Sequence, residues 1–274
     1  MKNRWMPILF AFLAAVFYAV NTPFSKLLLS YVSSTFMAAF LYLGAGVGVG
    51  VMYIFHFKKE KREERLTKDD LLYTILMVVL DILAPIFLML GLSYGNAANA
   101  SLLGNFEIVA TTLIAFLIFK ESVNKRLFLA IILITISSIL LSFEGKGSFQ
   151  FSYGSLFVLL ATACWGLENN CTRKISNKSS YEIVTIKGLF SGSGAFIIAL
   201  LLKQSLPNIK YIILAMLLGY VSYGMGIFLY IRAQRDLGAA KTSAYYAVAP
   251  FVGSFLSFVL QINRRESSRT FAER

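Results

Sequence analysis

Long apolar blocks alternate with short polar stretches along the 274-residue chain. Each block spans roughly 17 to 23 residues, close to the ~20 helical residues that cross a ~30 Å hydrocarbon core. Transmembrane β-strands would instead alternate apolar and polar residues over short segments, and the sequence lacks that alternation. The pattern predicts an all-α polytopic protein with nine spans, at approximately 6–28, 36–57, 71–90, 96–119, 127–143, 154–172, 182–202, 209–231 and 241–260.

Composition supports the same class of protein. Hydrophobic residues make up 57% of the chain and the mean hydropathy is +0.69, whereas a soluble domain is about half apolar. The first block has no small-residue cleavage pattern after it, so we expect a retained span rather than a signal peptide. Cys164 and Cys171 share one predicted helix at a spacing that excludes a disulfide between them. With one histidine in the chain, we expect no metal and no cofactor.

The positions of the basic residues predict the orientation. A net charge of +12 is compatible with nucleic-acid binding, but Lys and Arg concentrate in short loops beside the spans, as in membrane proteins. With the N-terminus inside, the cytoplasmic loops hold seventeen basic residues and the outer loops four. We therefore predict a multi-pass protein of the cytoplasmic (plasma) membrane, in contact with the lipid bilayer and not with nucleic acid. The basic tail 261–274 is the exception, since nine spans place it outside.

The chain contains an internal repeat. "LAAVFYAVNTPFSK" (13–26) resembles "LATACWGLENNCTR" (160–173), and "YGNAANASLLGNFEIV" (94–109) resembles "LGAAKTSAYYAVAPFV" (237–252). Because the first and sixth spans are an odd number of spans apart, equivalent helices run in opposite directions. Inverted repeats place transporter sites near the midplane. We predict repeats at 1–145 (spans 1–5) and 154–260 (spans 6–9), followed by an atypical tail, 261–274.

These segments carry a family resemblance. The "WG" of Trp165 and Gly166, the basic helix end at Arg173, the "LGAAKTSAYYAVAP" of 237–250 and the closing acid Glu121 resemble an EamA-type member of the drug/metabolite transporter superfamily. The resemblance covers about residues 5–260. It implies ten helices in two inverted five-helix repeats, and therefore a fifth helix in the second repeat that this chain lacks.

Three positions depart from that family pattern. Glu107 stands where the first repeat of the family has a helix-breaking proline, and Glu168 where it often has asparagine. The closing acid of the second repeat falls on Arg264. Together with the misplaced basic tail, this predicts a chain that is truncated or altered in reading frame near residue 261.

Four ionisable residues fall within predicted spans: Asp81, Glu107, Glu168 and Lys187. Each costs about 2.5 to 3.5 kcal/mol on insertion scales, so such residues are candidates for function. Glu168 shares a helical face with Trp165, Ala161 and Thr172, and either binds substrate or protons or forms a helix–helix hydrogen bond. Asp81 precedes Pro85 by four residues, so a pathway role competes with a structural kink.

The other two ionisable residues also have two interpretations. Glu107 shares a face with Ala100, Gly104 and Thr111, which indicates close helix approach or a cavity wall. Lys187 lies near a span end, and we expect it to snorkel to the cytoplasm rather than to act as a counter-charge. The glycines of "GAGVGVG" (44–50) predict tight helix packing.

The predicted substrate or proton pathway also includes amide, hydroxyl and aromatic side chains of the spans. The full set is Glu168, Asn169, Asp81, Glu107, Asn21, Thr22, Trp165, Tyr18, Tyr223, Tyr245, Tyr246 and Lys187. The function that we predict is secondary transport of a small metabolite or drug-like solute by alternating access, either coupled to protons or uncoupled. A homodimer is compatible with this function. The alternatives are a non-transporting assembly or sensor subunit, a truncated inactive transporter, and an intramembrane enzyme, for which the sequence offers no catalytic dyad.

Overall fold

The computed structural model describes residues 5–57, 60, 62–94, 103–104, 106–122, 125–142, 153–249, 252 and 256. These residues form helices without strands, which confirms the all-α prediction. The helices are α1 Trp5–Leu28, α2 Ser34–His56, α3 Leu71–Tyr94, α4 Phe106–Leu117, α5 Lys125–Ser142, α6 Tyr153–Lys174, α7 Ser180–Leu201, α8 Ile209–Gly219, α9 Met225–Leu237 and α10 Ala239–Tyr246. A π-helix, Tyr220–Gly224, joins α8 to α9, and two 3-10 turns, Arg62–Glu64 and Lys68–Asp70, precede α3.

Five stretches of the described chain are long and apolar enough to cross a membrane. They are Trp5–Ser25, Ser34–His56, Lys68–Leu88, Ser180–Leu201 and Ile209–Leu237, and α4 is a shorter apolar helix. The eighth predicted span ended at 231, whereas the helix continues to Leu237, because the polar residues of its last turns still fit a helical pattern. Parts of the predicted spans 96–119 and 241–260, and the tail 261–274, lie outside the described residues.

The chain divides into two compact units. The first comprises Met1–Glu60, Ser180–Tyr230 and Tyr245–Arg274, and the second comprises Lys61–Ser179 and Ile231–Ala244. Each unit combines helices from both predicted repeats. The packing of the helices thus divides the chain differently from the sequence similarity. The repeat boundaries stay a prediction.

Glycines bring the helices of the first unit together. A Cβ atom built on Gly46 of α2 would lie 2.5 Å from the backbone nitrogen of Leu189 in α7. One built on Gly192 of α7 would lie 2.7 Å from the backbone nitrogen of Leu43. Only glycine allows backbones to approach so closely. The tight packing predicted for the "GAGVGVG" segment is confirmed.

In the second unit, α3 and α6 form an antiparallel pair. At one end a Cβ on Gly91 would lie 2.5 Å from Cγ2 of Val158, and at the other end Lys178 Nζ lies 3.4 Å from the Asp70 carboxylate. Asp81 is ten residues before Gly91, and Glu168 is ten residues after Val158. At 1.5 Å per residue, each carboxylate is about 15 Å along its helix from the contact between Gly91 and Val158. Asp81 and Glu168 therefore lie at the same level of the helix pair.

Candidate functional site

The best-defined polar network of the second unit joins α6 to α4. Asn169 Nδ2 donates to Glu107 Oε1 at 3.0 Å and to Thr111 Oγ1 at 3.2 Å. Glu107 and Thr111 are four residues apart and so share a face of α4. Asn169 is 7% exposed and Thr111 is fully buried, whereas Glu107 is half-buried. The carboxylate of Glu107 is thus anchored by an amide, while the residue as a whole is only partly covered by protein.

The neighbouring amide, Asn170, fixes the same two helices through backbone groups. Its Nδ2 donates to the carbonyl of Thr111 at 2.9 Å and to that of Gly166 at 2.8 Å. Gly166 allows this approach, since a Cβ there would lie 2.7 Å from Cβ of Ala110. The close approach expected at Gly104 is wrong, because a Cβ at Gly104 would meet no atom within 4 Å. The contact occurs one to two turns further along α4.

Glu168 lies on a different face of α6 and is 3% exposed. Thr172, one turn later, donates its hydroxyl to Glu168 Oε1, and Ala161 is fully buried, so the predicted polar face exists. Asp81, at the same level of the α3–α6 pair, is also 3% exposed. Two carboxylates are thus withdrawn from the surface within this unit. Trp165, on the same face as Glu168, is half-buried.

Sequence reasoning missed Gln234. This residue of α9 is fully buried, and its Nε2 donates to the backbone carbonyl of Asn169 at 3.0 Å. The "ENN" segment is therefore held from two sides, by α4 and by α9. The only signal in the sequence is an uncharged amide between Arg232 and Arg235 at the end of an apolar helix.

Glu121, which the family resemblance singled out, ties three elements of the second unit together. Its two carboxylate oxygens accept the backbone N–H of Ala239 at 3.3 and 3.1 Å, so it caps the N-terminus of α10. Arg173 Nε at the end of α6 lies 3.4 Å from Glu121 Oε1. Gly238 has φ +86°, and a Cβ there would lie 2.8 Å from Glu121 Oε2. An acid at a helix N-terminus is stabilised by the helix dipole.

The first unit contains a tyrosine cluster, which we define as Tyr18, Tyr42, Tyr223, Tyr230 and Tyr246. The ring centroids of Tyr18 lie 5.3 Å from Tyr223 and 5.5 Å from Tyr246. Tyr42 lies 5.1 Å from Tyr223, and Tyr230 lies 5.0 Å from Tyr246. Three of these residues were predicted from the sequence. Tyr42 and Tyr230 were missed because nothing in their local sequence distinguishes them from lipid-facing aromatics.

The remaining predicted residues of the first unit have contacts or burial of their own. Tyr245 contacts Phe12 at 5.6 Å. Asn21 Oδ1 accepts a 2.7 Å hydrogen bond from Ser25, one turn later, and the side chain of Thr22 lies outside the described set. Lys187 is 6% exposed, so the expectation that it snorkels is wrong. Neighbouring helices cover it even though it is near the helix end.

The two-repeat pattern and these helices agree with a known family. The sequence profile of the EamA-like transporter family matches residues 5–143 and 152–265. The chain belongs to the EamA-like transporter family. An uncharacterized transporter of Methanothermobacter thermautotrophicus is 25% identical over an alignment of 271 residues, and the match covers 90% of this chain and 77% of that protein. The uncharacterized transporter YyaM of Bacillus subtilis is 22% identical over an alignment of 215 residues, and the match covers 73% of this chain and 68% of that protein.

A solved structure supports the fold of this EamA-like chain. One crystal structure superposes with a TM-score of 0.72 at 15% identity, and covers 94% of this chain and 89% of that chain. At this identity the likeness concerns the fold alone. Family and fold together identify a polytopic membrane protein of two-repeat architecture with a transport function.

Proposed function

We propose that this protein is a secondary transporter of the cytoplasmic membrane that moves a small metabolite or drug-like solute by alternating access. Its N-terminus is inside, and the two inverted repeats, 1–145 and 154–260, exchange access to the solute. Membership of a transporter family supports this proposal. The described residues contain no group of three His, Cys, Asp or Glu side chains that could hold a metal ion, and the proposal requires no cofactor.

The observation that carries the proposal is the contact between Asn169 and Glu107. An ionisable group within a membrane helix is costly and marks an ion or substrate pathway. Here the carboxylate accepts a 3.0 Å amide hydrogen bond and yet stays half-buried rather than enclosed. A carboxylate that is only half-buried exchanges protons more readily than one that is fully enclosed by protein.

Proton coupling follows from the same chemistry. A carboxylate that takes up a proton loses its charge, and its hydrogen bond to an amide donor weakens, because charge-assisted bonds are about twice as strong as neutral ones. Protonation of Glu107 would therefore loosen α4 from α6. We assign Glu107 as the half-buried proton site and Glu168, with Thr172 and Asp81, as a buried acidic site in the same unit.

The experiment begins with an untargeted metabolite comparison between cells with and without the protein, which identifies the solute. Flux of that solute into proteoliposomes is then measured with and without a pH gradient. We expect flux that depends on the gradient and falls at least tenfold in Glu107→Gln. The exposed loop variant Glu63→Gln is the matched control and keeps its flux. Absence of flux for every solute would favour an assembly or sensor subunit.

A further inference from the structure

We propose that the tyrosine cluster of the first unit binds the cationic group of the transported solute, which is then an organic cation such as a quaternary or protonated amine. This inference rests on the proposed transport function and names its substrate class. It is carried by the position of the five rings, by the π-helix that supplies one of them, and by the charges of this unit.

Two rings of the cluster, those of Tyr18 and Tyr223, belong to the middle of their helices and not to an interfacial belt. Tyr18 is thirteen residues from Trp5 and ten from Leu28 at the two ends of α1, which is about 15 to 20 Å from each end. Tyr223 lies midway along the Ile209–Leu237 stretch. Tyrosine in a membrane protein normally lies at the headgroup level. The stacked pair Tyr31 and Tyr211 follows this rule, since Tyr31 lies beyond the end of α1 and Tyr211 lies in the first turn of α8. Midspan tyrosines in mutual contact need another explanation.

The π-helix Tyr220–Gly224 supplies Tyr223 to the cluster. A π turn adds one residue to a helical turn, so the side chains that follow are offset by about 100° from α-helical positions. Such turns are rare and occur frequently at functional sites. Here Tyr220 at the start of the π-helix packs on Gly48, while Tyr223 reaches Tyr18 and Tyr42. The irregular turn therefore positions a ring that a regular helix would direct elsewhere.

The electrostatics of the rings determine the class of ligand. The face of a tyrosine ring is negative and attracts ammonium groups, most strongly where water is excluded. Within the described helices of this unit the acidic residue is Glu182, in the first turn of α7, so ring faces rather than a carboxylate would hold a midspan cation. Lys187 is the buried base of the unit and would favour an anion instead. Probes that differ only in charge therefore distinguish recognition by the rings from recognition by Lys187.

The test uses three probes of the same shape that differ in charge: choline, the neutral 3,3-dimethylbutan-1-ol and the anionic 3,3-dimethylbutanoate. Binding to the purified full-length protein in detergent is measured by isothermal titration and by ligand-induced thermal stabilisation. We expect choline to bind at least tenfold more tightly than the neutral alcohol, and the anion to bind more weakly still. Equal binding of the alcohol, or tighter binding of the anion, would overturn the proposal.

Variants locate the binding. Tyr223→Phe keeps the ring, so choline affinity stays within about threefold, whereas Tyr223→Leu loses about tenfold. Tyr31→Leu, a tyrosine of the same unit outside the cluster, keeps its affinity. If Tyr223→Leu does not fold, Tyr18→Leu carries the same expectation. A loss in Tyr223→Phe equal to that in Tyr223→Leu would assign recognition to the hydroxyl and contradict the proposal. Choline binding is measured in detergent without any flux. A failure of choline binding would therefore contradict the substrate class alone and leave the transport experiment unaffected.

Discussion

Asn169 of α6 donates an amide hydrogen bond of 3.0 Å to the Glu107 carboxylate of α4, across 62 residues of sequence. Each of these residues is unusual by itself in an apolar segment. Through this hydrogen bond, the titratable carboxylate of Glu107 contributes to the packing of α4 against α6. The stability of the second unit and the proposed coupling both depend on it.

The contact should be measurable as a coupling free energy. In a double-mutant cycle of Asn169→Ala and Glu107→Ala, we expect the two destabilisations to be non-additive by about 0.5 to 1.7 kcal/mol, the range found between membrane helices. Unfolding in mixed micelles gives the four free energies. The matched cycle of Asn170→Ala with Glu107→Ala should be additive, because Asn170 bonds to backbone carbonyls. Additivity in both cycles would argue against the contact.

The packing of α2 on α7 makes a second prediction. Gly46→Ala places a methyl group 2.5 Å from backbone atoms, and we expect a loss of about 1 to 3 kcal/mol of stability, as for overpacked cores. Gly50→Ala is the control, since its methyl group would lie 3.2 Å from a side-chain methyl of Thr185, which can move. Thermal stability by fluorescence-detected size-exclusion chromatography compares the two. Equal stability of the variants would contradict the close approach.

Gly238 gives a third prediction. Its φ of +86° and the neighbouring Glu121 carboxylate both exclude a side chain, so Gly238→Ala should cost about 1 to 2 kcal/mol. Gly104→Ala is the opposite case: it lies in open space within a helical segment, and removing a helical glycine should gain about 0.5 to 1 kcal/mol. Thermal denaturation of the two variants tests the sign of each change. Unchanged thermal stability of Gly238→Ala would contradict backbone strain at this position.

The two free cysteines of α6 provide a labelling test of its rotation. Cys171 is 1% exposed, whereas Cys164 is half-buried. A membrane-permeant maleimide should therefore modify Cys164 several-fold faster than Cys171, as followed by mass spectrometry. Single Cys→Ser variants assign the rates. Faster modification of Cys171 would mean that the "ENN" end of α6 is turned differently.

Five of the nine predicted spans coincide with stretches of the described chain that are long and apolar enough to cross a membrane, because apolar block length is a direct consequence of membrane thickness. The sequence also marked Glu107, Glu168 and Asn169, because a polar group in an apolar helix stands out by itself. It could not pair Glu107 with Asn169, since that contact depends on how two distant helices are rotated and spaced. Pairing requires the glycine contact at Gly166, which the sequence does not reveal.

Other residues show where local sequence reasoning fails. Lys187 was expected at the surface from its distance to the helix end, but burial depends on the helices around it. Gln234 and Tyr42 were missed because their neighbours in sequence look ordinary, and their roles come only from tertiary contacts. The predicted tail 261–274 lies outside the described residues, so its expectation is untested.

The proposed mechanism requires Glu107 to carry a proton during solute transport. The most direct measurement is proton uptake into proteoliposomes, followed with a trapped pH indicator, when the identified solute is added without any other gradient. Wild-type protein and Glu63→Gln should both show solute-driven proton movement. Glu107→Gln should bind the solute with unchanged affinity and move no protons. Undiminished proton movement in Glu107→Gln would contradict the account.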